Sequence, residues 1–473
     1  MKKNRIIALS GIILVVCITL LCLFCCKGKK DVYCTAIPQD ATVLVRLDAR
    51  SFLRKHDIDL TPLKSLVGKD MAEAAEHTGI DFSQPVYAFL LPSGKTGLCA
   101  KVSDAADLRA LVEKFGPGMN IQMSEKDGYT WIQQYGHVAA FDNDRLVALM
   151  DAGHSGRQQL AEMLLQTEDK SILSTGIFDL VTSCGKPLAL ATSTQALPSG
   201  QRAQMAQALD VDVKDFEADV LLALDFDKDK ALLTFDLTPR SSELKDDLKD
   251  GVENVLPIQG KFFTTGVANP FALVPFGLNG EELYDELIEE SGLQMFLGNL
   301  DLRKAFNSLH GDVCIQAATP DTKGLLLQAQ VRDNSIMDII EPAVKLLGGG
   351  TQAMRVGTEQ YCLSNGSMPV FLGVKGHDLF YVATGTDVAA QAGQDVETWT
   401  ERLASDAKGN YFYATADASA IVSLLGQQKM LPALLMGRLS QFDRLTLKVS
   451  SPTHAELSLT VRDGKDFVET VFK

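Results

Sequence analysis

Two short stretches of the chain carry residue types that do chemistry in other proteins. Gly153-His154-Ser155-Gly156 follows a run that reads as a strand, Leu146 to Met150, and precedes one that reads as a helix. That is the setting in which a nucleophilic serine is presented on a tight turn. Arg157 stands where the closing glycine of such a motif belongs. Ser155 with Gln158 also makes a capping box, in which hydroxyl and amide satisfy free N–H groups at a helix start, and this is the reading the residues favour. Gly94-Lys95-Thr96 has the glycine, lysine and hydroxyl of a phosphate loop, which cradles phosphates ahead of a helix. Phe89 occupies the place of its first glycine and a strand follows, so the pattern predicts a hairpin turn.

Metal chemistry finds less support. The seven histidines, His56, His77, His137, His154, His310, His377 and His454, include no two at the spacing of a metal pair on one helix or strand. Asp225-Phe226-Asp227-Lys228-Asp229 alternates carboxylates like a calcium loop but lacks its glycine and distal glutamate. Glu281-Glu282 suits a helix start, and Glu289-Glu290 a solvated helix face. Asn365-Gly366-Ser367 matches a glycosylation sequon and reads as a two-residue hairpin turn. Of nine cysteines, Cys17, Cys22, Cys25 and Cys26 belong to an apolar N-terminal run; there the C-x-x-C spacing from Cys22 to Cys25 has no redox setting. Cys34, Cys99, Cys184, Cys314 and Cys362 are odd in number and far apart. They predict isolated buried thiols rather than a disulfide framework or zinc site. No cofactor, metal or catalytic set is expected.

The elements that position these residues read as one α+β arrangement used twice. Residues 41–48 form an apolar strand candidate followed by a short helix near Ser51 to Lys55, and residues 271–278 match the strand. Hairpins from Val86 and Val313 follow, with Pro92 and Lys95 corresponding to Pro320 and Lys323. Helices are predicted over Ala105 to Phe115 and Ile336 to Leu347. They end at Gly116-Pro117-Gly118 and Gly348-Gly349-Gly350, where glycine tolerates the positive φ of a helix stop. At one constant offset Gly116 matches Gly348, Gly118 matches Gly350 and Tyr129 matches Tyr361. Three strands, a helix, a strand (188–192 or 411–415) and a long hairpin from Val220 or Leu445 complete each copy. The alternation predicts sheets with one packed and one wetter face. The expected organisation is a segment 1–30, a first repeat over 31–245 and a second over 258–473, each an antiparallel sheet backed by helices.

With 473 residues, two to three domains are expected at roughly 150 residues each. Apolar residues at 46% and charged residues at 22% exclude a mainly disordered or polytopic membrane chain. The first 30 residues hold six basic groups and no acid, leaving 39 basic against 60 acidic residues, a net −21, from residue 31 onward. Such a body repels polyphosphates, so no nucleic-acid partner is expected. Ile6 to Cys26 is a run of 21 uncharged residues, long enough at about 1.5 Å per residue for a hydrocarbon layer of about 30 Å. It ends in Leu23-Phe24-Cys25-Cys26, which resembles a bacterial lipoprotein signal with Cys26 as the lipid attachment site. An uncleaved anchor helix is the alternative. Either attaches the chain to a membrane.

The stretches YCTAIPQDATVLVRLDARSFLRK, PVYAFLLPSGKTGLCAKVSDA, DGYTW and FDNDRLVAL resemble a family of bacterial envelope lipoproteins known only as a domain of unknown function. The likeness covers most of residues 33–473. It implies export, membrane attachment and a two-part body, and supplies no catalytic residue. The function expected is therefore a membrane-tethered extracytoplasmic protein of the cell envelope, a non-enzymatic binding or structural module with a possible protein partner. The alternative is an envelope hydrolase whose site assembles only in three dimensions.

Overall fold

The computed structural model describes residues 32–51, 78–285 except 117, 119, 210, 253 and 254, and 302–472 except 321, 341, 343–351, 365–367, 397–400 and 428–439. The expected anchor, Cys26, His56, His77, Glu289-Glu290, Gly348-Gly349-Gly350 and Asn365-Gly366-Ser367 lie outside the described residues. Among the described residues no helix is long and apolar enough to cross a membrane. The chain divides into two compact units. One comprises Met1–Met205, Val213–Lys228 and Leu233–Ser241, the other Ala206–Asp212, Asp229–Leu232 and Ser242–Lys473. Both are α+β, built on antiparallel sheet.

In the first unit β1 (Val43–Leu47), β2 (Val86–Leu90) and β3 (Thr96–Lys101) are followed by a meander of β4 (Gln122–Lys126), β5 (Tyr129–Gln134), β6 (His137–Phe141) and β7 (Arg145–Leu149). Then come β8 (Leu188–Ser193), β9 (Ala218–Phe226) and β10 (Lys230–Pro239), the last from Leu233 onward within this unit. The spatial order is β4-β5-β6-β7-β3-β2-β1-β8-β9-β10. The meander therefore returns beside β3 through β7, and β8 inserts on the far side of β1.

The second unit contains β11 (Ala272–Asn279), β12 (Leu309–Ala317), β13 (Leu325–Val331), β14 (Gln352–Gly357) and β15 (Gln360–Ser364). It continues with β16 (Val370–Lys375), β17 (Leu379–Thr384), β18 (Phe412–Asp417), β19 (Phe442–Ser451) and β20 (His454–Val461). Its order is β14-β15-β16-β17-β13-β12-β11-β18-β19-β20, antiparallel at every pairing. Numbered from the first strand of each unit, the two orders are the same.

Period-two alternation explains the strands. In β1 the pattern puts Leu44 and Arg46 inward while Val43, Val45 and Leu47 are half-buried on the other face. On the inward face Leu44, Tyr87, Phe89, Cys99, Val147, Leu149, Ala189 and Ala191 pack with Leu160, Phe178 and Val181 of the helices Gly156–Leu164 and Gly176–Ser183. Gly97 faces Phe89 across the β2–β3 pair. A Cβ there would lie 2.0 Å from Phe89 Cζ, so only glycine lets the ring cross the sheet. The opposite face is the more solvent-exposed of the two, as the alternation predicts, yet its residues are apolar: Ala88, Leu90, Leu98, Leu190 and Leu222 are half-buried. Helix Ala105–Phe115 covers its meander end through Leu108, against Val102 and Phe141.

A coil fastens the second unit. The Asp312 carboxylate, 2% exposed, accepts from the backbone N–H groups of Gln259 (2.8 Å), Gly260 (2.7 Å) and Lys261 (2.6 Å). Buried Gln316 accepts from Val267 N–H at 2.6 Å and donates to Thr265 O at 2.9 Å. Buried Gln328 donates to Thr265 O and accepts from Gly393 N–H. Buried polar groups in low dielectric need such partners. Here they fix the chain that leads into β11. In the first unit Tyr33, ahead of β1, donates from Oη to Pro85 O at 2.5 Å.

Several local expectations are corrected. The meander has four strands, not three, because β4 is exposed at all five residues and shows no apolar alternation. Helix Ala105–Phe115 stops at Gly116 with φ −60°; a Cβ there would lie 2.5 Å from Val112 O, so space, not positive φ, demands glycine. Within the described part of Ile336 to Leu347, a 3-10 turn Ser335–Ile339 replaces the start of the predicted α-helix.

Candidate functional site

The two motifs singled out by residue type meet at one end of the first unit. β2 ends in a turn closed by Leu91 N–H on Lys95 O and Gly94 N–H on Leu91 O, both 2.9 Å. Gly94 has φ +78°, and β3 follows, so Gly94-Lys95-Thr96 turns strand into strand with no helix N-terminus behind it. Lys95 Nζ donates to Gln159 Oε1 at 2.7 Å, and Gln159 lies in the helix Gly156–Leu164 that Ser155 precedes.

Ser155 does not cap that helix. Its backbone is already helical at φ −86° and ψ −3°, and its hydroxyl makes no capping bond. An N-cap needs an extended backbone to aim its oxygen at the N2 or N3 N–H, and the Gly153 turn at φ +62° carries the chain past that geometry. Gln158 donates instead to Glu162 Oε1. The capping-box expectation is therefore wrong, and His154 and Ser155 are simply exposed.

Beside them lies the β5–β6 hairpin tip, which residue-type reasoning missed. Gln134 pairs with His137, leaving Tyr135 (φ +44°) and Gly136 (φ +90°) as a two-residue turn of primed type. Gly136 O accepts from Ala152 N–H at 2.8 Å. His137 Nδ1 accepts from Asp151 N–H at 3.2 Å, and Asp151 itself has φ +50°. Tyr135 is 71% exposed and accepts at Oη from Asn120 Nδ2 at 2.6 Å; Asn120 also has positive φ, +56°. Left-handed backbone costs a residue with a Cβ about 1–2 kcal/mol, and less for Asn and Asp, so the strain falls mainly on Tyr135. Three such residues are gathered here, and a tyrosine in a turn that suits Asn or Gly is the only signal that sequence inspection could have used. Further along β5, Arg157 stacks over Trp131 at 4.8 Å.

The remaining candidates are absorbed elsewhere. Asp225 is buried at the end of β9, accepts from Lys186 Nζ at 3.0 Å and from Phe226 N–H at 2.8 Å. Cys34, Cys99, Cys184, Cys314 and Cys362 are all free thiols, buried except half-buried Cys184; burial pushes the Cys314 thiol up to about 12. His310 titrates below its ordinary value because burial, then the charge of Arg332, disfavours the cation. Among the described residues no three His, Cys, Asp or Glu side chains are grouped to hold a metal ion.

The chain belongs to the family described as a domain of unknown function, DUF4836, whose model matches residues 67–449. Among solved structures it is similar to crystal form I of TP0453, at 12% identity and a TM-score of 0.28 over 49% of this chain and 89% of that one. Crystal form IV of TP0453 matches at 13% identity and a TM-score of 0.28 over 43% of this chain and 79% of that one. These likenesses are too low to carry an argument. No curated protein matches.

Proposed function

We propose that this protein is a membrane-tethered extracytoplasmic module of the bacterial cell envelope, binding or structural rather than enzymatic, built from two diverged copies of one α+β unit over 31–245 and 258–473. One observation carries the reading: both units use the same ten-strand order, while the serine and histidine that could do chemistry in the first are not matched in the second. The Ser155 loop has its counterpart near Gly385-Thr386-Asp387, with neither serine nor histidine, and Lys95, which only ties two elements together, has its counterpart Lys323 in a 3-10 turn, Thr322–Gly324. A scaffold keeps its framework through such divergence, and an active site keeps its side chains. Tyr129 and Tyr361, in the second meander strand of each unit, support the duplication. The tether rests on Ile6 to Cys26, with Cys26 lipidated or the apolar segment retained.

Protease treatment of intact and permeabilised cells, with intact-mass analysis of the membrane fraction, tests this reading. Expected are a body cleaved without permeabilisation and either an acylated Cys26 start, lost in Cys26→Ser, or a retained Met1. A protected body recovered in the soluble fraction overturns it.

A further inference from the structure

We propose that the tip of the β5–β6 hairpin is a binding site for a neutral saccharide, with Tyr135 as the platform on which a sugar ring stacks. The inference rests on the binding-module reading and names the ligand class of that module. Tyr135 sits at φ +44°, where glycine or asparagine would form the same turn without strain, and it is 71% exposed. Neither the turn nor the core needs this ring, so its use lies in what it meets from solvent. Asn120 Nδ2 holds the hydroxyl at 2.6 Å and fixes the ring orientation while leaving it open. Pre-ordering of this kind lowers the entropic cost of binding.

The surroundings select the class of ligand. Gly136, Asp151, Gly153, His154 and Ser155 are all exposed; the loop that carries the last four is tied to the hairpin at Asp151 and Ala152, and these residues supply hydrogen-bond donors and acceptors. No second large apolar side chain is exposed at this tip among the described residues. A protein–protein interface buries a core of several apolar side chains inside its rim, which a lone ring amid polar groups does not provide. A pyranose has the complementary chemistry, with a C–H face for the electron-rich ring and hydroxyls for its flanks. The net charge of −15 disfavours an anionic ligand.

Saturation-transfer NMR and calorimetry on the full-length protein, held in a sugar-free zwitterionic detergent, test this with N-acetylglucosamine tetramer, maltohexaose and cellohexaose. Expected is binding of at least one probe through one ring face, weakened at least about fivefold in Tyr135→Asn. Tyr135→Asn suits the turn, so its thermal midpoint should not fall, and Tyr135→Phe, which keeps the ring, should bind within about fivefold of the parent. No transfer to any of the three probes, or a Tyr135→Asn protein weakened less than about fivefold, overturns the proposal. An envelope-exposed body that ignores all three probes leaves the module reading intact, whereas a cytosolic body removes that reading whatever the probes do.

Discussion

Lys95 Nζ lies 2.7 Å from Gln159 Oε1, a hydrogen bond across 64 positions of sequence that joins the β2–β3 turn to the helix after β7. Because β7 pairs with β3, that helix starts beside the turn. A lysine that would hold phosphate in another setting is here a tie between two elements, and the glutamine it meets lies four residues beyond Ser155.

Neither Ser155 nor Lys95 is worth much to the fold. Ser155→Ala should change stability by no more than about 0.5 kcal/mol, because no capping bond is lost. Lys95→Ala should cost about 0.5–1.5 kcal/mol, the range of one net hydrogen bond. Urea unfolding of both variants checks this, and a loss above about 2 kcal/mol in Ser155→Ala, the upper range of a lost N-cap, would restore the cap.

What could be read from sequence follows from where the burial lies. β1, β2, β3, β8 and β9 are legible because alternate residues are buried, and the helix Ala105–Phe115 because its apolar residues recur at helical spacing. β4 is invisible because nothing in it is buried. Ser155 has the right type and spacing for a cap but the wrong backbone, which depends on Gly153. The Asp312 clamp is unreadable because its acceptor lies about 50 positions from its donors. The Tyr135 tip escapes because its significance is a backbone angle and an exposure, not a motif.

Gly97→Ala should destabilise the first unit by about 1–3 kcal/mol through overpacking, since the new Cβ would sit 2.0 Å from the Phe89 ring. Because the two residues face each other, Phe89→Leu should recover part of that loss, giving a coupling energy of at least about 0.5 kcal/mol in a double-mutant cycle. Additive losses would show that the close approach is relieved elsewhere.

Asp312→Ala should be among the most damaging single changes in the second unit. It removes the shared acceptor of three partly buried N–H groups at once, and about 3 kcal/mol is expected from the lost charge-assisted bonds. Asp312→Asn should lie between, because an amide keeps one acceptor but turns an NH₂ toward the same donors. Hydrogen exchange at Gln259, Gly260 and Lys261 gives the local readout, and unchanged protection in Asp312→Ala would contradict the clamp.

The last prediction concerns acid. Lys448 Nζ lies 2.9 Å from Glu456 and 3.1 Å from Asp406. Burial pulls the Glu456 carboxyl upward, but the hydrogen bond and charge of Lys448, then those of His454, outweigh it and hold its pKa below the ordinary value. A carboxyl lowered in the folded state binds its proton more readily when unfolded, so its contribution is present above the unfolded pKa of about 4.3 and is lost as pH falls through the folded one. Burial lowers Lys448, yet its hydrogen bonds to Glu456 and Asp406 leave it raised. Its contribution is therefore intact below its unfolded value and disappears only in strong alkali. Glu456→Gln should then be less stable than the parent at neutral pH and converge on it as pH drops below about 4.3, while its alkaline loss becomes shallower. Urea titrations across pH 3 to 7 check this, and parallel curves over the whole range would remove Glu456 from the acid response.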